Sequence, residues 1–171
     1  MRHLTATVYI ISEGKVLLIY HRKLQKWQPP GGHLDPNELP HEGALREAKE
    51  ETGLTIELIH QENLWLESLN AKSIPRPYFC LLEDIPAYGT EPAHQHVDMI
   101  YVAMPKDGEL VENHAETGGL RWFSPEEIVA LKGGEEIFQD TQEACLHILD
   151  KIKRKVANWT SDKNTKKKIT R

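Results

Sequence analysis

The stretch Gly32-His-Leu-Asp-Pro-Asn-Glu38, continued by Leu39-Pro-His-Glu-Gly-Ala-Leu-Arg46-Glu47-Ala-Lys-Glu50-Glu51-Thr-Gly53-Leu54, decides how the chain is read. Its opening is punctuated by Pro30, Gly31, Gly32 and Pro36 and reads as a loop. From about Leu39 to Thr52 the pattern predicts a helix, with Asp35 or Asn37 as the capping residue, Pro40 in the first turn and Gly53 as the left-handed stop. Leu39, Ala44, Leu45 and Ala48 give that helix an apolar side with small residues, fit to lie close to a sheet. Glu47, Glu50 and Glu51 stand three and four apart, so their carboxylates converge on another side. Three gathered carboxylates repel one another unless something positive sits among them, either a hard divalent cation or a basic side chain. Arg46, one residue ahead of Glu47, cannot lie among all three. A cation suits the arrangement better.

Read as spacing, the stretch is Gly32, five residues, Glu38, seven residues, Arg46-Glu47, two residues, Glu50-Glu51, one residue, Gly53 and an aliphatic Leu54. This resembles the signature of the Nudix hydrolases, enzymes that cleave phosphoanhydrides with magnesium or manganese. Ala48 is the one departure, standing where the family usually has a larger aliphatic residue. The resemblance implies an α/β (α+β) fold in which a central mixed sheet is sandwiched between helices. It implies that Glu47, Glu50 and Glu51 hold Mg2+ or Mn2+, with the backbone oxygen of Gly32 completing the shell. Glu50 or Glu51 would also orient or deprotonate the attacking water. Arg46 would hold the glutamates by a salt bridge, and Glu38 would anchor the loop against the helix. The family often adds one carboxylate from outside the motif as metal ligand or base; Asp98 and Glu116 are the candidates, with the imidazole of His33 a third group for that role.

Composition sets wider bounds. A chain of 171 residues suits one domain, expected over residues 1–159, followed by a basic and unstructured tail over 160–171. The net charge of −5 divides unevenly: the tail from Thr160 carries +4 and the body −9. So acidic a body argues against general binding to nucleic-acid backbones, whereas bound metals let an acidic enzyme accept polyphosphate. Cys80 and Cys145 lack metal-like spacing and read as core thiols. There is no basic-then-apolar leader and no long apolar stretch, so a soluble cytoplasmic protein without membrane contact is expected, as monomer or homodimer.

Along the chain, Leu4–Ile11 and Val16–Tyr20 predict a strand pair around the turn Ser12-Glu-Gly14. A basic linker leads to Trp27, which is either a core plug or a wall of the substrate pocket. Gly31 and Gly32 either make a tight entry turn or let backbone N–H groups approach a phosphate or metal. After the helix, Thr55–Gln61 and Leu64–Leu69 predict strand-like pieces, followed by a strand at Tyr78–Leu82, a loop at Asp84–Pro92 and a strand at His94–Met104. In that last strand His94, His96 and Asp98 share one face with Ile100, and Val97, Met99, Tyr101 and Ala103 share the other. Two histidines and an aspartate on one face raise a zinc-site reading. They complete no known zinc motif, and a polar face lining the substrate pocket is the preferred account. Ser124-Pro-Glu-Glu127 predicts a capped short helix after a strand at Leu120–Phe123, and Gln139–Trp159 predicts a long final helix.

The reaction implied is hydrolysis of a nucleoside diphosphate linked to another moiety, with a nucleoside triphosphate or nucleotide sugar foremost. Trp27, Tyr78 and Tyr101 are candidates to stack on a base, and His33 and His96 to contact the substrate. The marker residues that similar enzymes use for ADP-ribose (a proline) and for diadenosine polyphosphates (a tyrosine) are not found at Leu69–Ile74. Two alternatives stand beside this reading: an RNA 5′-end pyrophosphohydrolase, favoured by the basic tail, and a non-catalytic nucleotide-binding regulator.

Overall fold

The structure, a computed structural model, describes residues 1–59, 61–113 and 117–168, with side chains as far as 153. Its centre is β1 (Arg2–Ser12), whose run Val8-Tyr-Ile-Ile11 is buried on both faces. A strand covered on both sides needs such an uninterrupted apolar run. β1 turns back into β2 (Lys15–His21) through Glu13 and Gly14, at φ 49° and 74°. Positive φ at both central residues is what a tight hairpin with the native twist requires.

The sheet has the order β3-β2-β1-β7-β5, where β3 is Lys26–Gln28, β5 is Thr55–Leu58 and β7 is His94–Asp107. β4 (Gly31–His33) pairs with β1, β6 (Phe79–Ile85) with β7, and β8 (Thr117–Phe123) with β2. β1 and β7 run parallel, with His3 opposite His96 and Thr5 opposite Asp98. Every other pairing between these strands is antiparallel. The sheet is therefore mixed.

Helices cover both faces. α1 (Pro40–Thr52) sets Ala44 and Ala48 against Ala6, Val8, Tyr101 and Ala103. On the opposite face α2 (Pro125–Ala130) and α3 (Gln139–Lys168) place Ile128, Cys145, Ile148 and Leu149 on Tyr9, Ile11, Leu18 and Phe123. At roughly 1.5–3 kcal/mol for each large apolar side chain removed from water, these two layers dominate the stabilisation. Ser124 caps α2 as expected, its hydroxyl accepting from the Glu127 N–H while the Glu127 carboxylate accepts from the Ser124 N–H. Among the described residues no helix is long and apolar enough to cross a membrane.

Several expectations change. The strand predicted at Leu64–Leu69 does not form; a loop with one bridge, Glu67 to Lys72, takes its place and leaves Leu64, Trp65, Leu66 and Leu69 exposed. The reason lies in β7: β1 pairs along one edge, and β6 and β5 share the other in tandem, so this stretch has no edge to join. The linker and entry loop instead contain β3 and β4. α3 continues past Trp159 to Lys168. Cys145 is buried, but Cys80 is exposed on the outward side of β6. Leu45 is exposed too, because α1 turns Ala44, Ala48, Glu51 and Thr52 inward instead.

Candidate active site

The site is built where β4 meets the flank of α1. Neither Asp35 nor Asn37 caps the helix. Leu39 occupies the cap position and its N–H is accepted by the Glu42 carboxylate at 3.1 Å. Asn37, at φ 67°, belongs to the turn before it. In that turn Glu38 receives the Asp35 N–H on Oε2 at 2.9 Å. At the far end Gly53, φ 76°, donates its N–H to Lys49 O, and a Cβ there would stand 2.6 Å from the Glu109 carbonyl. The helix that carries the glutamates is thus fixed at both ends.

Arg46 is the hub. Its Nε and Nη2 donate to Glu38 Oε1 and Oε2, both at 2.9 Å, and Nη2 also reaches the His33 carbonyl at 3.0 Å. Its Nη1 donates to Glu47 Oε1 at 2.7 Å and to Glu50 Oε2 at 3.1 Å. Glu38 is thereby held below the usual glutamate range, first by the Arg46 hydrogen bonds and then, against some desolvation, by the Asp35 N–H. Glu51 lies apart from the guanidinium. It is buried, and its Oε2 accepts the Gly31 N–H at 3.0 Å. Arg46 therefore touches two of the three motif glutamates, and a backbone amide serves the third.

The two glycines of β4 are needed for close approach. A Cβ on Gly32 would fall 2.5 Å from Glu47 Oε1, and one on Gly31 would fall 2.7 Å from the Ala6 carbonyl. Glycine lets β4 lie between β1 and the Glu47 carboxylate. Among the described residues, the motif glutamates offer carboxylate oxygens here, a set that fits a hard divalent cation.

The other candidates separate. Asp98 is buried on the sheet face away from α1, where it accepts from the Thr5 hydroxyl at 2.9 Å. Burial raises its pKa, and hydrogen bonds from Thr7, Thr5 and the Met99 N–H oppose the rise. Thr7 lies opposite Gly31 in the β1–β4 ladder, so Asp98 is two short contacts from the amide that holds Glu51. Glu116 lies outside the described residues. Trp27 packs edge-on against Phe123 at 4.8 Å and Tyr20 at 5.3 Å, as a plug. Tyr101 is 3% exposed beneath α1 and cannot stack on a base. Tyr78 meets Phe79 and His147 near the end of the opposite layer.

His33 and His96 do come together, in company the sequence did not disclose. A cleft of about 590 Å³ is lined by His3, Leu4, His33, Leu34, Asp35, Asn37 and Glu38. At its edge His3 Nδ1 is 3.2 Å from His33 Nε2, and His94 Nε2 is 3.1 Å from His96 Nε2. Burial, and then the three neighbouring imidazoles, push His96 down to about 4. Glu83, across from His96 on β6, is pushed up to about 7, first by burial and then by Asp98 and Asp140. His3 was missed because only the parallel β1–β7 pairing brings it here.

Comparison with known proteins agrees with this geometry. The NUDIX domain model matches residues 1–141. A NUDIX family hydrolase from Clostridium perfringens superposes with a TM-score of 0.72 at 30% identity, covering 89% of this chain and 99% of that one. The chain belongs to the NUDIX family. Among its relatives, a Bacillus subtilis protein named "Putative 8-oxo-dGTP diphosphatase" is 30% identical over 121 residues, 70% of this chain and 65% of its own length. A Lactococcus lactis protein named "Probable DHNTP pyrophosphohydrolase" is 31% identical over 122 residues, 70% of this chain and 61% of its own. The chain spans just under two thirds of these two curated relatives.

Proposed function

We propose that this protein hydrolyses a phosphoanhydride bond in a nucleoside diphosphate linked to another moiety, using Mg2+ or Mn2+. Nucleoside triphosphates, oxidised bases included, or nucleotide sugars are its substrates, and one domain over residues 1–159 carries the activity. The observation behind this reading is the gathering of Glu47 and Glu50 on Arg46 beside Glu51, which is pinned to Gly31. Glu47, Glu50, Glu51 and the Gly32 carbonyl would hold the metal, which when bound neutralises phosphate charge and makes water a better nucleophile.

The chain's own residues do the rest. Arg46 fixes the directions of Glu47 and Glu50, and the Gly31 amide fixes Glu51, so little reorganisation is needed as charge develops. Glu50, with its side chain 55% exposed, is the glutamate best able to orient water or take its proton. Asp98, on the other face of the sheet, acts through the two threonines to steady the strand that carries Gly31 and Gly32, and Glu116 is left as the candidate for a further carboxylate from outside the motif. The cleft beside His33 and Glu38 has the volume of a small-molecule site. The name of the B. subtilis relative specifies an oxidised nucleoside triphosphate, which supports that substrate class.

The test is product release from nucleoside triphosphates, nucleotide sugars, dinucleotides and 5′-triphosphate RNA, with Mg2+ or Mn2+ and with chelator. One substrate class cleaved far faster than the rest, only with metal, is expected. No cleavage of any of them by folded, metal-supplied protein would overturn the reading.

A further inference from the structure

Among the described residues, a cluster of ligand-type side chains apart from the glutamates has a geometry that demands explanation. One ring nitrogen from each of His3, His33, His94 and His96 lies within 4.8 Å of all the others. The four come from β1, β4 and β7, at the end of the sheet where these strands meet. Three of the rings are half-buried, while His33 is exposed at the cleft.

Hydrogen bonds can join the rings only in two pairs, His3 with His33 and His94 with His96, and leave the convergence of the two pairs unexplained. His94 Nδ1 stands 2.9 Å from the Pro92 carbonyl, which can only accept, so that nitrogen carries the proton and Nε2 of the neutral ring carries a lone pair. His96 Nδ1 faces the Glu83 carboxylate at 3.7 Å, so a proton on that nitrogen is well placed and would leave its Nε2 with a lone pair as well. In that tautomer the two Nε2 lone pairs face each other at 3.1 Å. Two acceptors that close repel unless a cation lies between them.

We propose that His3, His33, His94 and His96 form a second metal site that takes a borderline divalent transition ion of the Zn2+ type, distinct from the oxygen-lined glutamate site. Imidazole nitrogen suits zinc and its neighbours, whereas magnesium prefers oxygen. A tetrahedral zinc with bonds of about 2.0–2.1 Å sets its nitrogen ligands about 3.4 Å apart. Two of the pairs already stand at 3.1 and 3.2 Å, and the others, all within 4.8 Å, would close on the ion by rotation of the rings. The outer contacts suit the role as well. A carbonyl on His94 Nδ1 and a carboxylate facing His96 Nδ1 are the usual partners that orient metal-binding imidazoles.

Such an ion would tie together the starts of β1 and β7 and the end of β4. The backbone carbonyl of His33 accepts from Arg46 Nη2 at 3.0 Å, so the same ion would brace the loop against the residue that orients Glu47 and Glu50. The second site is thereby joined to the first without sharing a ligand.

The experiment uses tag-free full-length protein stripped of metal. Zn2+ is titrated against a chromophoric chelator, Co2+ is added separately for its visible spectrum, and thermal melting is followed with and without Zn2+. Wild type should bind one Zn2+ tightly, give the intense spectrum of tetrahedral Co2+, and melt higher with Zn2+. Glu50→Gln combined with Glu51→Gln should leave all three results unchanged. His3→Gln combined with His94→Gln should weaken Zn2+ binding at least about a hundredfold and abolish the tetrahedral spectrum, while Glu83→Gln should weaken binding by about tenfold or more. The Glu83 variant and single His94→Gln keep the test decisive should the double histidine variant not fold. The proposal is overturned if wild type binds no Zn2+. It is equally overturned if Co2+ gives only a weak octahedral spectrum, or if binding survives the histidine changes and is lost with the glutamates.

Discussion

The Arg46 guanidinium and the Glu38 carboxylate meet as a two-bond fork, Nε to Oε1 and Nη2 to Oε2, each at 2.9 Å. The fork joins the turn before α1 to the middle of the helix and leaves Nη1 for Glu47 and Glu50. Only arginine can do all of this, because a lysine ammonium lacks the planar set of donors. Arg46→Lys is expected to lower stability by about 1–3 kcal/mol, since the Glu38 side chain, 12% exposed, loses its paired donors. Turnover should fall further than stability alone explains. Urea unfolding and kcat on the same preparation check both.

The same pair predicts a pH dependence. The folded-state pKa of Glu38 lies below its unfolded value, chiefly through the Arg46 hydrogen bonds. Its contribution to stability is therefore complete above the ordinary glutamate pKa, and it is lost as pH falls through the depressed folded value. The stability difference between wild type and Glu38→Gln should be constant near neutrality and shrink in acid. Urea midpoints of both proteins across that range measure it. A difference that grows on acidification would contradict the assignment.

Gly31 and Gly32 should fail in different ways. A methyl on Gly32 meets the carboxylate end of the flexible Glu47 side chain at 2.5 Å, which can swing aside only by giving up its place on Arg46. Gly32→Ala should keep its melting temperature within a few degrees yet lose most of its turnover, through a misplaced carboxylate. A methyl on Gly31 meets the Ala6 carbonyl at 2.7 Å and the Thr7 backbone at 2.8 Å. Gly31→Ala must push β4 away from β1 and should cost about 1–3 kcal/mol of stability. Calorimetry with parallel kinetics distinguishes the two.

Glu50→Gln and Glu51→Gln should each reduce kcat by orders of magnitude. Neither should unfold the protein, because an amide oxygen at position 51 can still accept the Gly31 N–H. Wild-type turnover in both variants would remove the glutamates from the mechanism. Added Mg2+ or Mn2+ should restore chelator-treated wild type and fail to restore either variant.

Trp27 offers a contrast. Packed edge-on to Phe123 and Tyr20, it belongs to the core side of β3. Trp27→Ala should destabilise by about 2–3 kcal/mol, less than a fully buried tryptophan would, with KM changed little. A large rise in KM at unchanged stability would return it to the substrate pocket.

Local sequence made the glutamate helix legible. The spacing of Glu47, Glu50 and Glu51, Pro40 at its start and Gly53 at its end are all short-range features that one helix turn connects. The apolar runs Val8–Ile11 and Val16–Ile19 were legible for the same reason, because continuous burial leaves a continuous apolar record. The misread stretches are those whose state depends on a distant neighbour. Leu64–Leu69 has strand-like residues but no edge of β7 to pair with, and Leu39 rather than Asp35 or Asn37 stands at the helix cap because those two lie in the turn that precedes it, where Glu38 accepts the Asp35 N–H.

By itself, then, the sequence determined the family, the helix and the set of acidic donors, since each is encoded within a few turns of chain. Tertiary structure alone decided that Trp27 and Tyr101 pack in the core, and brought Asp98 beside Thr5. It also gathered His3 and His33 with the two histidines of β7. That cluster spans residues 3 to 96, and only the parallel β1–β7 register and the antiparallel β1–β4 register bring its members to one point. Strand pairing between distant segments leaves no periodic mark in the sequence, so a site made by pairing becomes visible only in three dimensions.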